Sequence, residues 1–141
     1  MKNSLVFALL AGCALAACGQ PGVSVDGPWI RATVAEQKTS AAYLTITSSE
    51  SATLVSVTTP LTSAVEIHEM KMDGDIMRMR AVPGPLPLPA GQKVEFKPGG
   101  YHMMLLGLRH ALKPGDVVPL TLEVQGADGK QTEIQVRAPV K

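Results

Sequence analysis

The chain has 141 residues, with 13 Lys and Arg against 12 Asp and Glu and a formal net charge of +1 at pH 7. A charge balance this close to zero excludes the clustered basic surface on which nucleic-acid binding depends. The length is that of one domain, and 13 Gly with 11 Pro disfavour long helices because both residues destabilise helix interiors.

Residues 1–17 have the features of a secretory signal peptide. Lys2 supplies a positive charge, an apolar run follows from Leu5 to Leu15, and small residues come next. The run is shorter than the roughly 20 apolar residues that span a bilayer. The sequence Leu15-Ala16-Ala17-Cys18 resembles a bacterial lipobox. It predicts lipidation of Cys18 and a lipoprotein anchored to a membrane in the periplasm.

Two alternatives to Cys18 remain open in this segment. Leu10-Ala11-Gly12-Cys13 fits the lipobox pattern slightly better but leaves a very short apolar run. Ordinary cleavage near Ala16 or Ala17 would leave a soluble protein with a spare thiol, which gives a lone exported cysteine no role. Beyond Cys18 the chain has no cysteine. This excludes an internal disulfide, a thiolate metal site and cysteine-based redox catalysis in the folded domain.

Residues 18–26 are predicted to be a polar, glycine-rich tether, and residues 27–141 a single β domain. In the domain, short apolar runs rich in β-branched residues alternate with turn signals. This pattern predicts an all-β sandwich or barrel. The proline-rich segment 83–89 is expected to lack regular structure. The predicted strands are residues 29–32, 42–47, 53–58, 65–70, 76–80, 93–96, 102–108, 117–124 and 132–136.

All three His, and every Met except Met1, lie between His68 and His110. Met is normally an interchangeable core filler, so its concentration in one stretch calls for another explanation. Thioether sulfur and imidazole nitrogen suit Cu(I) as ligands, whereas Mg²⁺ and Ca²⁺ prefer oxygen. The stretch therefore predicts a site for a soft metal ion.

The Asp73-Gly74 pair between two alternating runs predicts a two-residue hairpin turn of type I′. With these residues at the centre of the turn, His68 would oppose Met79, and Met70 would oppose Met77. Directly opposed residues place their side chains on the same face of a hairpin. The turn therefore predicts a hairpin face that carries one imidazole and three thioethers.

A second pair of donors lies further along the chain. His102 and Met104 are two positions apart in a predicted strand, so both side chains leave from one face. Two nitrogens and two sulfurs make a full tetrahedral set for a d¹⁰ ion such as Cu(I), and neutral thioethers disfavour the doubly charged oxidised ion. Met70 and Met77 are candidate secondary ligands. The predicted primary ligands are His68, Met79, His102 and Met104.

The remaining donors of this stretch have simpler explanations. His110 is expected to be a surface residue because it follows Arg109 near a turn. Met103 alternates away from His102 and is expected in the core, and Met72 is expected to be exposed beside the turn. The alternative for the four predicted ligands is packing in a methionine-tolerant core. Two histidines in such a core would require polar partners.

The spacing His68-x10-Met79-x22-His102-x-Met104 is similar to the signature of the periplasmic Cu(A)-site copper chaperone family, whose domain is called PCu(A)C. The motif is far more specific than a lone His or Met pair. The resemblance covers roughly residues 27–125. Its other elements include Trp29-Ile30-Arg31-Ala32, Val65-Glu66-Ile67-His68-Glu69-Met70, Lys97-Pro98-Gly99-Gly100-Tyr101-His102 and Val118-Pro119-Leu120-Thr121-Leu122.

The resemblance implies a cupredoxin-like Greek-key β-barrel or sandwich that binds one Cu(I) at an accessible surface site. It implies a metallochaperone that delivers copper toward the Cu(A) site of cytochrome c oxidase. The acceptor would be oxidase subunit II or another periplasmic copper chaperone. A periplasmic copper-buffering or resistance protein without a dedicated oxidase partner is the alternative. No enzyme is expected, because no cysteine and no pair of acids accompany the histidines.

Overall fold

The computed structural model describes residues 22–141, so the predicted signal peptide and Cys18 lie outside the described residues. Residues 22–141 form strands, turns and loops and contain no helix. The strands are β1 (Val23–Ile30), β2 (Thr39–Ser48), β3 (Ala52–Thr58), β4 (Ala64–Asp73), β5 (Ile76–Ala81), β6 (Leu86–Leu88), β7 (Lys93–Phe96), β8 (His102–Leu106), β9 (Val117–Gly126) and β10 (Gln131–Pro139). In this part of the chain, no helix is long and apolar enough to cross a membrane.

The strands form two antiparallel sheets that pack face to face. The six-stranded sheet has the order β1-β2-β8-β4-β5, and β7 also pairs with β2. The four-stranded sheet has the order β10-β9-β3-β6. The sheets do not close on each other, so the fold is a sandwich rather than a barrel. The prediction of an all-β domain is confirmed.

The core lies between the two sheets and is almost entirely aliphatic. On β9, Leu120, Leu122 and Val124 are at most 2% exposed, and they alternate with residues that face solvent. On β2, Ala42, Leu44 and Ile46 meet them from the other sheet. This alternation is typical of an antiparallel sheet with one face in the core.

The first strand begins earlier than predicted. β1 starts at Val23, inside the predicted 18–26 tether and before the predicted domain boundary at residue 27. Val23 and Val25 pack against the core, and they pair with Ser48 and Ile46 of β2. The glycines around them suggest a tether, but two valines two positions apart supply enough apolar surface to extend the strand.

The proline-rich segment also contains a strand, contrary to expectation. Leu86 and Leu88 are buried in the core, and β6 pairs with β3 through Ala52 and Leu54. Pro87 lies between them and is exposed. Because β6 is at the edge of its sheet, the missing N–H of Pro87 costs no ladder hydrogen bond.

The β4–β5 hairpin turns one residue later than predicted. Asp73 pairs with Ile76, so Gly74 and Asp75 form the two-residue loop. Gly74 has a φ of 64°. Asp73 and Asp75, on either side of it, do not have a positive φ. Positive φ at the first central residue alone is typical of a type II′ turn, whereas type I′ needs it at both. The observed turn therefore assigns the left-handed conformation to glycine alone.

The predicted cross-strand pairs are wrong as a result. Met70 pairs with Met79, and Met72 pairs with Met77, in place of the expected His68–Met79 and Met70–Met77 pairs. The change moves each partner by two residues. Because side chains alternate with a period of two, each residue stays on its predicted face. The methionines therefore still share one face of the hairpin with His68, but each lies opposite a different partner.

Replacing Gly74 by Ala should lower the free energy of unfolding by about 1–2 kcal/mol, the cost of a left-handed conformation for an L-residue with a Cβ. Asp75→Ala is the matched control in the same loop and should stay within about 0.5 kcal/mol of wild type. Denaturant unfolding measures both. A larger cost at Asp75 than at Gly74 would show that the turn is not of type II′.

Candidate metal centre

Strand β8 separates a core face from a face that carries donor atoms. Met103 and Leu105 are fully buried in the core. His102 and Met104 therefore lie on the outer face of the six-stranded sheet, as the alternation of a strand requires. His102 is 7% exposed and Met104 is partly buried. The predictions of a shared face for His102 and Met104 and of a core position for Met103 are confirmed.

The neighbouring strand β4 brings the second histidine to the same place. His68 pairs directly with His102 across the β4–β8 ladder. The two imidazole rings are 5.6 Å apart between centroids and meet edge to face. On its other side, His68 pairs with Ala81 of β5 rather than with a methionine. The two histidines thus form the end of the site that is built into the sheet.

The hairpin supplies sulfur to this site. The Sδ atom of Met79 lies 3.2 Å from Nε2 of His102. Met70, the partner of Met79 across the hairpin, lines the same cavity of about 270 Å³ as Met79, His102 and Met104. The structure therefore groups three of the four predicted ligands and one secondary candidate around one cavity. His68 lies beside the cavity, against the ring of His102.

The remaining donors lie elsewhere. Met77 is opposite Met72 near the tip of the hairpin, and both are exposed. His110 is on an exposed loop, where Nδ1 lies 3.0 Å from the carbonyl oxygen of Ala111. The expectations of an exposed Met72 and a surface His110 agree with these positions. Met77, the other secondary candidate, does not line the cavity.

His68 and His102 each have one ring nitrogen on an oxygen acceptor and the other without an oxygen partner. For His68, Nε2 is 2.9 Å from a carboxylate oxygen of Glu66, and the buried Nδ1 has no partner. For His102, Nδ1 is 3.2 Å from the carbonyl oxygen of Gly100, and Nε2 faces Met79. Metal-binding histidines typically donate their second N–H to such an acceptor. An imidazole nitrogen that faces a thioether sulfur, as Nε2 of His102 faces Met79, suits a soft cation.

Sequence reasoning did not give Glu66 a role. Glu66 and Glu69 both flank His68 in the sequence, and the alternation of a strand places Glu69 on the opposite face. The spacing of Glu66 and His68, two positions apart on β4, is the signal that both side chains leave from the same face. Glu66 is 51% exposed at its side chain. It can therefore hold the imidazole from the solvent side.

A positive charge lines the cavity as well, and sequence reasoning did not predict it. Arg31 donates a hydrogen bond from Nη2 to the hydroxyl oxygen of Tyr43 at 3.1 Å, and both residues line the cavity. Tyr43 is buried, and its ring centroid is 4.5 Å from that of Trp29. Among the described residues, Arg31 forms no salt bridge. Its uncompensated charge disfavours a doubly charged ion more than a singly charged one.

Comparison with known proteins identifies the family. The family model described as "Putative lipoprotein LpqE-like" matches residues 23–140. The chain belongs to the LpqE-like family. A relative named "Putative lipoprotein Lxx21020", from Leifsonia xyli subsp. xyli, is 29% identical over 140 residues, which cover 94% of this chain and 82% of that protein.

Solved structures agree with this assignment. The solution structure of CuI-DR1885 from Deinococcus radiodurans is 32% identical with a TM-score of 0.65, and the match covers 91% of this chain and 85% of that one. The apo PCuAC domain from PmoF1 has a TM-score of 0.67 at 24% identity, and the match covers 87% of this chain and 97% of that domain. The resemblance to the PCu(A)C family and the cupredoxin-like sandwich are thereby confirmed.

Glu66 should fix the tautomer of His68 in the metal-free LpqE-like protein. We expect the neutral imidazole to carry its proton on Nε2, facing the carboxylate, and to leave Nδ1 unprotonated. Long-range ¹⁵N–¹H correlation spectra distinguish the two tautomers. Glu66→Gln should retain the pattern because its amide oxygen still accepts, and Glu66→Ala should lose it. Glu69→Ala, on the opposite face of β4, is the matched control.

The opposite tautomer in the wild-type protein, with the proton on Nδ1, would contradict this assignment. An unchanged spectrum in Glu66→Ala would show that the carboxylate does not determine the tautomer.

Proposed function

We propose that the LpqE-like protein is a periplasmic metallochaperone that carries one Cu(I) and passes it to another protein. The 3.2 Å approach of Met79 Sδ to His102 Nε2 at a cavity lined by Met70 and Met104 carries the proposal. Imidazole and thioether are the donors that suit Cu(I). The solved relative CuI-DR1885 is named with Cu(I), which supports the same cargo here.

The proposed ligands are the ones predicted from the sequence: His68, Met79, His102 and Met104. The site would bind Cu(I) in preference to Cu(II), because all four donors are neutral and Arg31 adds a positive charge beside the cavity. Each unit of net charge on the ion raises its repulsion from Arg31. Met70 is the rival to Met79, since the two oppose each other on the hairpin.

The difference in burial between the donors supports a carrier rather than a permanent store. His102 is almost fully buried, whereas Met79 is 49% exposed. An exposed, neutral thioether can be replaced by a ligand of an acceptor while the imidazole still holds the ion. We propose that the acceptor lies on the route to the Cu(A) site of cytochrome c oxidase, either oxidase subunit II or another periplasmic copper chaperone. The proposal includes no catalytic step.

Alanine substitution of each proposed ligand should weaken Cu(I) binding by at least about tenfold, because each change removes one of four donors. The affinity is measured by competition with bicinchoninate. The substitutions are His68→Ala, Met79→Ala, His102→Ala and Met104→Ala, and His110→Ala is the control that should bind as wild type. Met79→Ala should also leave the free energy of unfolding of the apo protein within about 0.5 kcal/mol, because its side chain is half exposed.

If Met70→Ala weakens Cu(I) binding and Met79→Ala does not, the sulfur ligand from the hairpin is Met70 instead of Met79. Large destabilisation of the apo protein by all four substitutions, without a selective loss of copper affinity, would favour a packing role for these residues.

We further propose that Cys18 is lipidated and anchors the domain to a membrane facing the periplasm. The lipobox-like sequence and the lipoprotein names of the family and of the Leifsonia relative support this. The wild-type protein should fractionate with membranes, and Cys18→Ala should release it or block its maturation. Cys13→Ala is the matched control and should remain with membranes. Recovery of unmodified wild-type protein entirely in the soluble periplasm would contradict the anchor.

A further inference from the structure

The tip of the β4–β5 hairpin carries two methionines that the proposed ligand set does not use. Met72 and Met77 are directly opposed across the hairpin and are 54% and 51% exposed. Methionine usually fills gaps in a core, yet these two thioethers lie on a solvent-facing surface. They share their face of the hairpin with Met70 and Met79, which form the next cross-strand pair, or rung, toward the cavity.

The spacing of these rungs allows a soft cation to pass between them. Directly opposed residues have Cβ atoms about 4.5–5.5 Å apart, and Met has three rotatable bonds. Both sulfurs of one rung can therefore reach a single ion. Neighbouring rungs are two residues apart, which is about 6.7 Å along a strand. The two rungs thus lie one after the other between the tip and His102, whose Nε2 is 3.2 Å from Sδ of Met79.

The two faces of the tip differ in chemistry. On one face, Arg78 donates from Nε to a carboxylate oxygen of Asp73 at 3.1 Å. The other face presents Met72 and Met77, which are uncharged. A soft cation at the tip would therefore meet the neutral sulfurs of Met72 and Met77, while the carboxylate of Asp73 pairs with Arg78 on the other face.

We propose that Met72 and Met77 form a second, weaker Cu(I) site at the hairpin tip, through which the ion enters and leaves the main site by way of Met70 and Met79. The inference rests on the proposed function, because it concerns the route to the same cargo site. Copper stays Cu(I) throughout, and only ligands exchange. Two thioethers hold the ion less tightly than the four donors of the main site, so an acceptor can remove it from the tip.

The double variant Met72→Leu/Met77→Leu tests the route. Leucine keeps the apolar volume of methionine but has no sulfur, so the variant separates ligation from hydrophobic docking. We expect an unchanged affinity for the first equivalent of Cu(I), loss of the weak second equivalent, and transfer to bicinchoninate that is slower by about tenfold. Met103→Leu is the matched control, because it removes a fully buried sulfur from the core.

Wild-type transfer rates and a retained second equivalent in the double variant would overturn the inference. A loss of affinity for the first equivalent would also overturn it, because the tip methionines would then belong to the main site. Absence of any Cu(I) binding by the wild-type protein would refute the proposed function itself. The affinity of the wild-type protein thus separates failure of the function from failure of the route.

Discussion

The position of β8 in the middle of the six-stranded sheet is the constraint on which the candidate site depends. Met103 and Leu105 are fully buried against the opposite sheet, so His102 and Met104 must lie on the outer face. Pairing with β4 then places His68 directly opposite His102. A slip of β8 by one residue would bury both candidate ligands and expose two core residues. The same packing that specifies the fold therefore specifies the site.

The donors join two parts of the molecule with opposite properties. The histidine end is built into the sheet, where His102 is nearly buried and its Nδ1 lies 3.2 Å from the carbonyl oxygen of Gly100. Met79, by contrast, lies on a hairpin that extends beyond the core, where β5 is exposed along its whole length. A fixed imidazole can retain an ion while the exposed thioether of Met79 exchanges with another ligand. This division suits binding that must also be reversible.

Local patterns in the sequence were sufficient for the all-β class, for most strands and for the shared face of His102 and Met104, because each depends on alternation within a single strand. They were insufficient where the outcome depends on competition between neighbouring residues or on distant contacts. Either Asp73 or Asp75 can flank Gly74 in a two-residue turn, and the conformation of the glycine decided the register. Arg31 reaches the cavity only because β1 pairs with β2, which no short motif predicts.

The X-ray absorption spectrum of the protein loaded with one equivalent of Cu(I) tests the central claim most directly. The copper edge reports the oxidation state, and the extended fine structure reports which elements scatter from the first coordination shell. The ligand set of two imidazoles and two thioethers predicts nitrogen and sulfur scattering together. A first shell of nitrogen and oxygen alone would contradict it, because Met79 and Met104 would then not be ligands.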